Sequence, residues 1–262
     1  MIDDTQDKVS VQPSVSSIAD LLSVLAPYTA DGREIWYRGH RDHTWLLTAS
    51  AFRTAGVRSD ERNMLARFRQ ETAISGASHS LDEWGWVSFS QHHGLPTRLL
   101  DWTQNPLVAL YFATELETTN LPEETEPDGE LNILWPHDLN KEAGDSDQGH
   151  PKLLSDAEGR LEYYRPGRDN ENPSKPRAVI APMAFDRIRF QAGTFTIEQA
   201  PQGARDGEPL RSSRATRNFS IPGKAKRQLR DELEILGYNN VTIYRDLDRI
   251  AARIKNGATK GF

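Results

Sequence analysis

The spacing of apolar positions changes several times along the chain. In "SSIADLLSVLAPY" Ile18, Leu21, Leu22 and Leu25 recur at helical spacing, with Ser17 placed to cap the helix and Pro27 to end it. "REIWYRGH" (33–40) is rich in β-formers and closes on a glycine, which predicts a strand and a tight turn. "SDERNMLARFRQETAIS" predicts an amphipathic helix buried through Met64, Leu65, Phe68 and Thr72. "LDEWGWVSFSQHHG" predicts another, stopped at Gly94, where the missing Cβ permits a left-handed residue.

The short apolar "TRLLDWT" then predicts a buried strand. "QNPLVALYFATE" predicts a helix capped by Asn105 with Pro106 at its first position, apolar nearly all round. Further strands are expected at 131–136, 177–182, 187–190, 194–198, 219–222 and 241–244, and helices at 224–236 and 247–255. Polar stretches at 115–130, 138–176 and 200–217 are expected as long loops, which are uncommon in compact domains unless they carry function or move. Residues 1–16 and 257–262 are expected as tails. The alternation gives one α+β domain over 17–256, without repeats or a linker between two cores.

Composition narrows the classes. Of the 262 residues 37% are hydrophobic and 27% charged, which describes a water-soluble globular protein. No apolar run reaches the roughly 18 residues of a membrane helix, so no membrane association is expected. The acidic, polar start lacks the apolar core of a secretory signal. With no cysteine in the chain, disulfides and thiolate metal sites are excluded, and the cytoplasm is the default location. The net charge of −6 argues against broad nucleic-acid binding. It is unevenly spread, acidic over 115–130 and basic over 211–230, and the basic stretch offers a surface for a nucleotide or nucleic-acid acceptor.

Candidate chemistry concentrates in three places. Arg38 sits at a strand end beside Gly39, suited to hold anionic oxygens with its planar fork, or else paired to a carboxylate such as Asp101. In "SQHHGLPTRLLDWT", Gln91, His92 and His93 occupy a last helical turn. Adjacent histidines point about 100° apart, so only one of the two is expected at a site. Thr97, Asp101 and Thr103 follow. Asp101, between Leu100 and Trp102, is either a structural anchor or a working carboxylate. No His-x₃-His pair or other metal spacing, no G-x-S-x-G elbow, no P-loop and no GxGxxG occurs, and no metal is expected. The third place is "RIRFQAGTFTIE", where Gln191 precedes a glycine turn and Glu198 ends a strand.

Together "IWYRGH", "TWLLTASAFR", "SQHHGLPTRLLDWTQNPLVALYFA" and "RIRFQAGTFTI" resemble the FRG domain family, named for an aromatic-Arg-Gly motif that here reads Tyr37-Arg38-Gly39. The closing "ELEILGYNNVTIYRDLDRIAARI" also looks like the family's last strand and helix, so the resemblance runs over roughly 17–256.

The order of these motifs is similar, at the level of fold, to the ADP-ribosyltransferases. That likeness implies a split, mostly antiparallel central sheet flanked by helices, and NAD⁺ as co-substrate. On it, Arg38 would anchor NAD⁺, Thr97 or Thr103 would take the hydroxyl position, and Gln191 would fall where those enzymes carry a glutamate. Tyr37, Gly39, Gln91 and Trp102 would line the nucleotide, with Trp36, Tyr37 or Trp102 stacking on a ring. Asp101 or Glu198 would supply the negative charge that Gln191 lacks, and His92 or His93 would activate the acceptor.

The expectation is thus a transferase of ADP-ribose to a nucleic acid, nucleotide or protein, acting as a toxin or anti-phage defence effector of bacterial type. The alternative is a non-catalytic module that binds a nucleotide or partner. A hydrolase or nuclease using the histidines and Asp101 is a lesser one.

Overall fold

The computed structural model describes residues 13–53, 55–73, 81–116, 126–169, 174–182, 186–200 and 208–244. Seven strands form its centre: β1 (Trp36–His40), β2 (Leu99–Thr103), β3 (Gly129–Leu134), β4 (Lys152–Leu153), β5 (Arg177–Ile180), β6 (Gly193–Ile197) and β7 (Thr216–Ile221). Their order across the sheet is β4-β5-β6-β2-β1-β3-β7, and every neighbouring pair is antiparallel except β4 with β5.

The expected split into two sheets is not found, since all seven strands belong to one. The junction at its middle is nevertheless thin. β1 pairs with β3 along its whole length, from Trp36↔Leu134 to His40↔Glu130, but meets β2 only at Tyr37↔Thr103.

Alternation along the strands divides the core by face. Tyr37, Leu131, Ile133, Phe219 and Ile221 pack with α1 (Ile18–Thr29), α4 (Pro106–Ala113) and α8 (Lys226–Ile235). On the same side of the sheet, Leu99, Phe195 and Ile197 pack with Leu65 of α2 (Ala55–Thr72) and with Trp84 and Val87 of α3 (Glu83–His92). The opposite face carries Trp36, Leu100, Trp102 and Leu134. It is covered by Leu47, by Leu139 of α5 (Pro136–Glu142) and by Leu210 of α7 (Pro209–Ser212).

Gly39 of the aromatic-Arg-Gly motif has a packing reason. A Cβ there would stand 1.9 Å from the Ala109 carbonyl oxygen and 2.6 Å from the Ala113 nitrogen. The glycine lets α4 rest on bare backbone.

Local signals read from sequence account for several element ends. Ser17 accepts from the Asp20 amide and Asn105 from the Leu107 amide, and Gly94 takes φ +85° just past α3. Other expectations are corrected. The stretch 187–190 lies in the helix α6 (Asp186–Phe190): Ile188 is buried while Phe190 is exposed, and one inward residue does not demand a strand. The stretch 241–244 is the helix α9 (Asn240–Tyr244). Asn239 accepts from the amides of Val241 and Thr242, at 3.1 Å each, and this cap outweighs the β-branched residues.

Helix α1 runs two residues beyond Pro27. Ser14 and Val15 do not belong to a tail: Ser14 bridges to Ser220, and Val15 is fully buried. Within 138–176 the chain forms most of α5, β4 and a 3₁₀ turn at Gly159–Tyr164, and it buries Leu139, Leu154, Leu161 and Tyr164. Likewise β3 begins at Gly129, and α7 and β7 lie in or begin within 200–217. The expected helix at 247–255, the segment 257–262, the greater part of the 115–130 stretch and residues 201–207 of the 200–217 stretch lie outside the described residues. Among the described residues no helix is long and apolar enough to cross a membrane.

Candidate functional site

The thin junction between β1 and β2 is filled by a side chain. Arg38 sends Nη1 to the Asp101 carbonyl oxygen at 2.6 Å, supplying a donor where a strand would otherwise pair by backbone. Its Nε donates to His40 Nε2 at 2.9 Å. A guanidinium has only donors, so His40 Nε2 must be the accepting nitrogen and the ring proton sits on Nδ1. The His40 ring is 1% exposed, and burial lowers its pKa to about 2, aided by Arg38, Arg53 and Arg211. A neutral imidazole is what the geometry requires. Burial also lowers the Arg38 pKa to about 10, opposed by the charge of Asp101, so it stays cationic at neutral pH.

Asp101 points its carboxylate into an exposed position. Its Oδ1 accepts from Gln91 Nε2 at 2.7 Å, and Gln91 Oε1 accepts from Thr97 Oγ1 at 2.5 Å. The Thr97 hydroxyl is itself tied by the Leu99 amide, so the Gln91 amide has one orientation, with its NH₂ toward Asp101. The residue beside Thr97 does a different job. Arg98 is 1% exposed and holds Glu61, Asp169 and the Tyr164 carbonyl, fastening α2 and the 165–169 region to β2.

These groups open on a cavity of about 220 Å³. Of the residues singled out in the sequence, Tyr37, Arg38, Gly39, Gln91, His92, Asp101, Trp102, Thr103 and Gln191 line it. His93 and Thr97 do not. His93 packs edge-on against Phe89 at 4.7 Å, and Thr97 is fully buried behind Gln91.

Trp36 is fully buried and hydrogen-bonds Glu34, so it has no face for a ligand. Trp102 is 3% exposed with its Nε1 on Thr196. An aromatic with open surface at the cavity is Trp45, 39% exposed, which lies within the "TWLLTASAFR" motif but carries no sequence signal that would assign it a ligand. Arg41 and Glu115 were not singled out in sequence: the first follows the aromatic-Arg-Gly motif by two residues, and the second opens an acidic run that reads as solvated.

Gln191 is not at a strand end but just past α6. Its Nε2 donates to the Ile243 carbonyl at 3.1 Å, its backbone oxygen accepts from Thr103 Oγ1, and among the described residues its side-chain oxygen has no hydrogen bond.

Glu198 lies outside the cavity lining. By alternation it faces away from Phe195 and Ile197, toward Thr48, whose hydroxyl donates to Oε2 at 2.7 Å. It is 1% exposed, and its Oε1 has no partner. Burial raises its pKa to about 7 despite Thr48, the Ala49 amide, Arg38 and Arg53.

In the basic stretch 211–230, Arg211 is spent on Glu130 and Glu208, and Lys226 is fully buried with its ammonium on the Arg41 carbonyl. Arg230 likewise donates to the Tyr111 carbonyl. Much of that charge is therefore internal. Among the described residues no three metal-binding side chains converge.

Residues 33–121 match the family model of the FRG domain. No curated protein and no solved structure matches the chain. The FRG segment, about a third of the chain, holds β1, α2, α3, β2 and α4. It therefore contributes Arg38, Gln91, His92, Thr97 and Asp101, while Gln191 and Glu198 come from outside it.

Proposed function

We propose that the cavity between β1 and β2 binds NAD⁺ and transfers its ADP-ribosyl group to an acceptor. The observation that carries this reading is an accessible carboxylate, Asp101, fixed by Gln91 beside a guanidinium, Arg38, in one cavity. At about 220 Å³ it is smaller than the roughly 300–1,000 Å³ of sites that enclose drug-sized ligands. It fits the nicotinamide–ribose end, with the pyrophosphate at Arg38 and the adenosine toward Arg41 and Trp45 at the mouth.

In the reaction the bond between the nicotinamide nitrogen and ribose C1′ breaks, and its electron pair leaves with nicotinamide. Asp101 stabilises the positive charge left on the ribose. The free side-chain oxygen of Gln191 accepts from a ribose hydroxyl, the part a glutamine can play without a charge. An acceptor oxygen or nitrogen then bonds to C1′ and gives its proton to His92.

A second reading is favoured by Gln191 itself. Where the resemblance to transferases calls for a carboxylate, this chain has an amide, which suits recognition of a nucleotide without turnover. Nicotinamide release and NAD⁺ binding, measured on the same protein, separate the two. Release that disappears in Asp101→Asn while binding persists supports transfer. Binding without release in the unaltered chain supports recognition, and neither binding nor release would discard both.

A further inference from the structure

A second cavity, of about 540 Å³, lies between α2, α3 and the turn at 165–168, and it shares no lining residue with the first. Its floor is apolar, built from Leu65, Trp84 and Val87, all nearly inaccessible to solvent. Its rim is basic. Arg62 and Arg69 stand two turns apart on α2, and with Leu65 and Ala66 between them they form one stripe at i, i+3, i+4 and i+7. Arg165 and Arg168 enter from the turn.

The two pairs of arginines are treated differently. Arg165 is held by Glu83, by Asp156 at 3.0 Å and by Glu162 at 2.6 Å, and Arg168 reaches Glu162 at 2.7 Å. The one carboxylate that lines the cavity, Glu83, is therefore already engaged. Arg62 and Arg69 have no carboxylate within ion-pair distance among the described residues. Arg69 lies over the Trp86 ring at 5.5 Å, and its Nε is shut from solvent with no hydrogen-bond partner. A guanidinium N–H closed off without an acceptor is destabilising. An anion held between the two arginines would supply that acceptor.

We propose that this cavity binds the phosphate groups of a small phosphorylated molecule. Guanidinium forks match phosphate oxygens in pairs, and the volume falls within the range of roughly 300–1,000 Å³ that nucleotide-sized ligands fill. The apolar floor gives a ring or ribose something to cover. The phosphate chemistry is common to inorganic pyrophosphate and a nucleoside diphosphate, and the site stands whether or not the first cavity turns over NAD⁺.

Calorimetric titration of pyrophosphate and of ADP into the full chain tests it. Three forms are compared: the unaltered protein, the Arg62→Gln/Arg69→Gln double variant, and Arg67→Gln, which removes an exposed α2 arginine outside the cavity lining. Both ligands are expected to bind the unaltered chain, at least tenfold more weakly in the double variant and with unchanged affinity in Arg67→Gln. Equal affinities for the two ligands mean that phosphate alone is read; tighter ADP adds the floor. If the double variant melts early, Arg62→Gln alone, on a solvent-exposed residue, carries the same comparison. Undiminished binding in the Arg62 and Arg69 variants, an equal loss in Arg67→Gln, or no binding of either ligand at millimolar concentration would overturn the proposal.

Discussion

Asp101 and Glu198 both act on Arg38 electrostatically, yet they occupy opposite faces of the same sheet. Asp101 keeps contact with solvent and takes a side-chain donor from Gln91. Glu198 is sealed, takes a hydroxyl from Thr48, leaves one oxygen unpartnered and titrates near neutrality, at about 7. Proximity to a guanidinium does not by itself make a working carboxylate. What differs is access: the face with the cavity can bring a ligand to its carboxylate, while the other face spends its carboxylate on the interior.

The sharpest way to break that comparison is to neutralise each carboxylate in turn. Asp101→Asn keeps the shape and removes the charge that the proposed transfer needs. Nicotinamide release should fall about 10²–10³-fold, the range seen when one electrostatic stabiliser of a transition state is lost. Its melting temperature should shift by no more than a few degrees, because the side chain is exposed. Unchanged release would remove Asp101 from the chemistry, and wholesale unfolding would make it a structural anchor.

Glu198→Gln should act on stability instead. Its pKa is raised on folding, so the folded state prefers the proton. Below about 4.5 both states are neutral and nothing is lost. As pH rises from there to about 7, the unfolded chain ionises first and stability falls, levelling above that at about 3 kcal/mol below its acid value. His40, lowered from 6.5 to about 2, contributes with the opposite sense over an overlapping window, but it is present in both proteins, so the difference between them isolates Glu198. Denaturant melts should therefore coincide at pH 4 and diverge toward pH 8, with the glutamine variant the more stable. Parallel curves at all pH values would mean that Glu198 is not sealed.

The third test concerns the wall between the faces. Gly39→Ala forces a methyl group against the backbone of α4, where neither Ala109 nor Ala113 has a flexible end to yield. The expected cost is about 2 kcal/mol, within the usual range for overpacking, read as an earlier urea midpoint. A smaller loss would show that α4 slides, and release should then suffer more than stability.

The parts legible in sequence were those with local causes. Asn105 with Pro106, Ser17 and Gly94 announce element ends by hydrogen bonds or backbone angles within a few residues, and the structure has them where the pattern puts them. Residues 187–190 and 241–244 misled because a four- or five-residue run satisfies either period, and a cap at Asn239 decides one of them. The site was half legible. Arg38, Gln91 and Asp101 lie in or beside punctuated motifs, but which face each side chain takes depends on strand register. Glu198 reads like Asp101 in sequence, as a candidate carboxylate on a strand. Only the pairing of β6 with β2 sends it to the sealed side. Arg41, Trp45 and Glu115 reach the cavity from loops, which carry no period to betray direction.

The smallest expected effect is the most specific. Thr97 touches no ligand space, but its hydroxyl fixes which end of the Gln91 amide meets Asp101. In Thr97→Val the amide loses that bond and is free to turn its oxygen toward the carboxylate, a repulsive arrangement. Release should fall about tenfold, equivalent to about 1.4 kcal/mol, through kcat with KM little changed, since Arg38 is untouched. Stability should drop by about 1 kcal/mol for the lost buried hydrogen bond. Thr97→Ser, which retains the hydroxyl, should restore most of the rate. If valine and serine behave alike, the threonine serves packing alone. The ordered carboxylate that distinguishes Asp101 from Glu198 would then owe its position to Gln91 without help from behind.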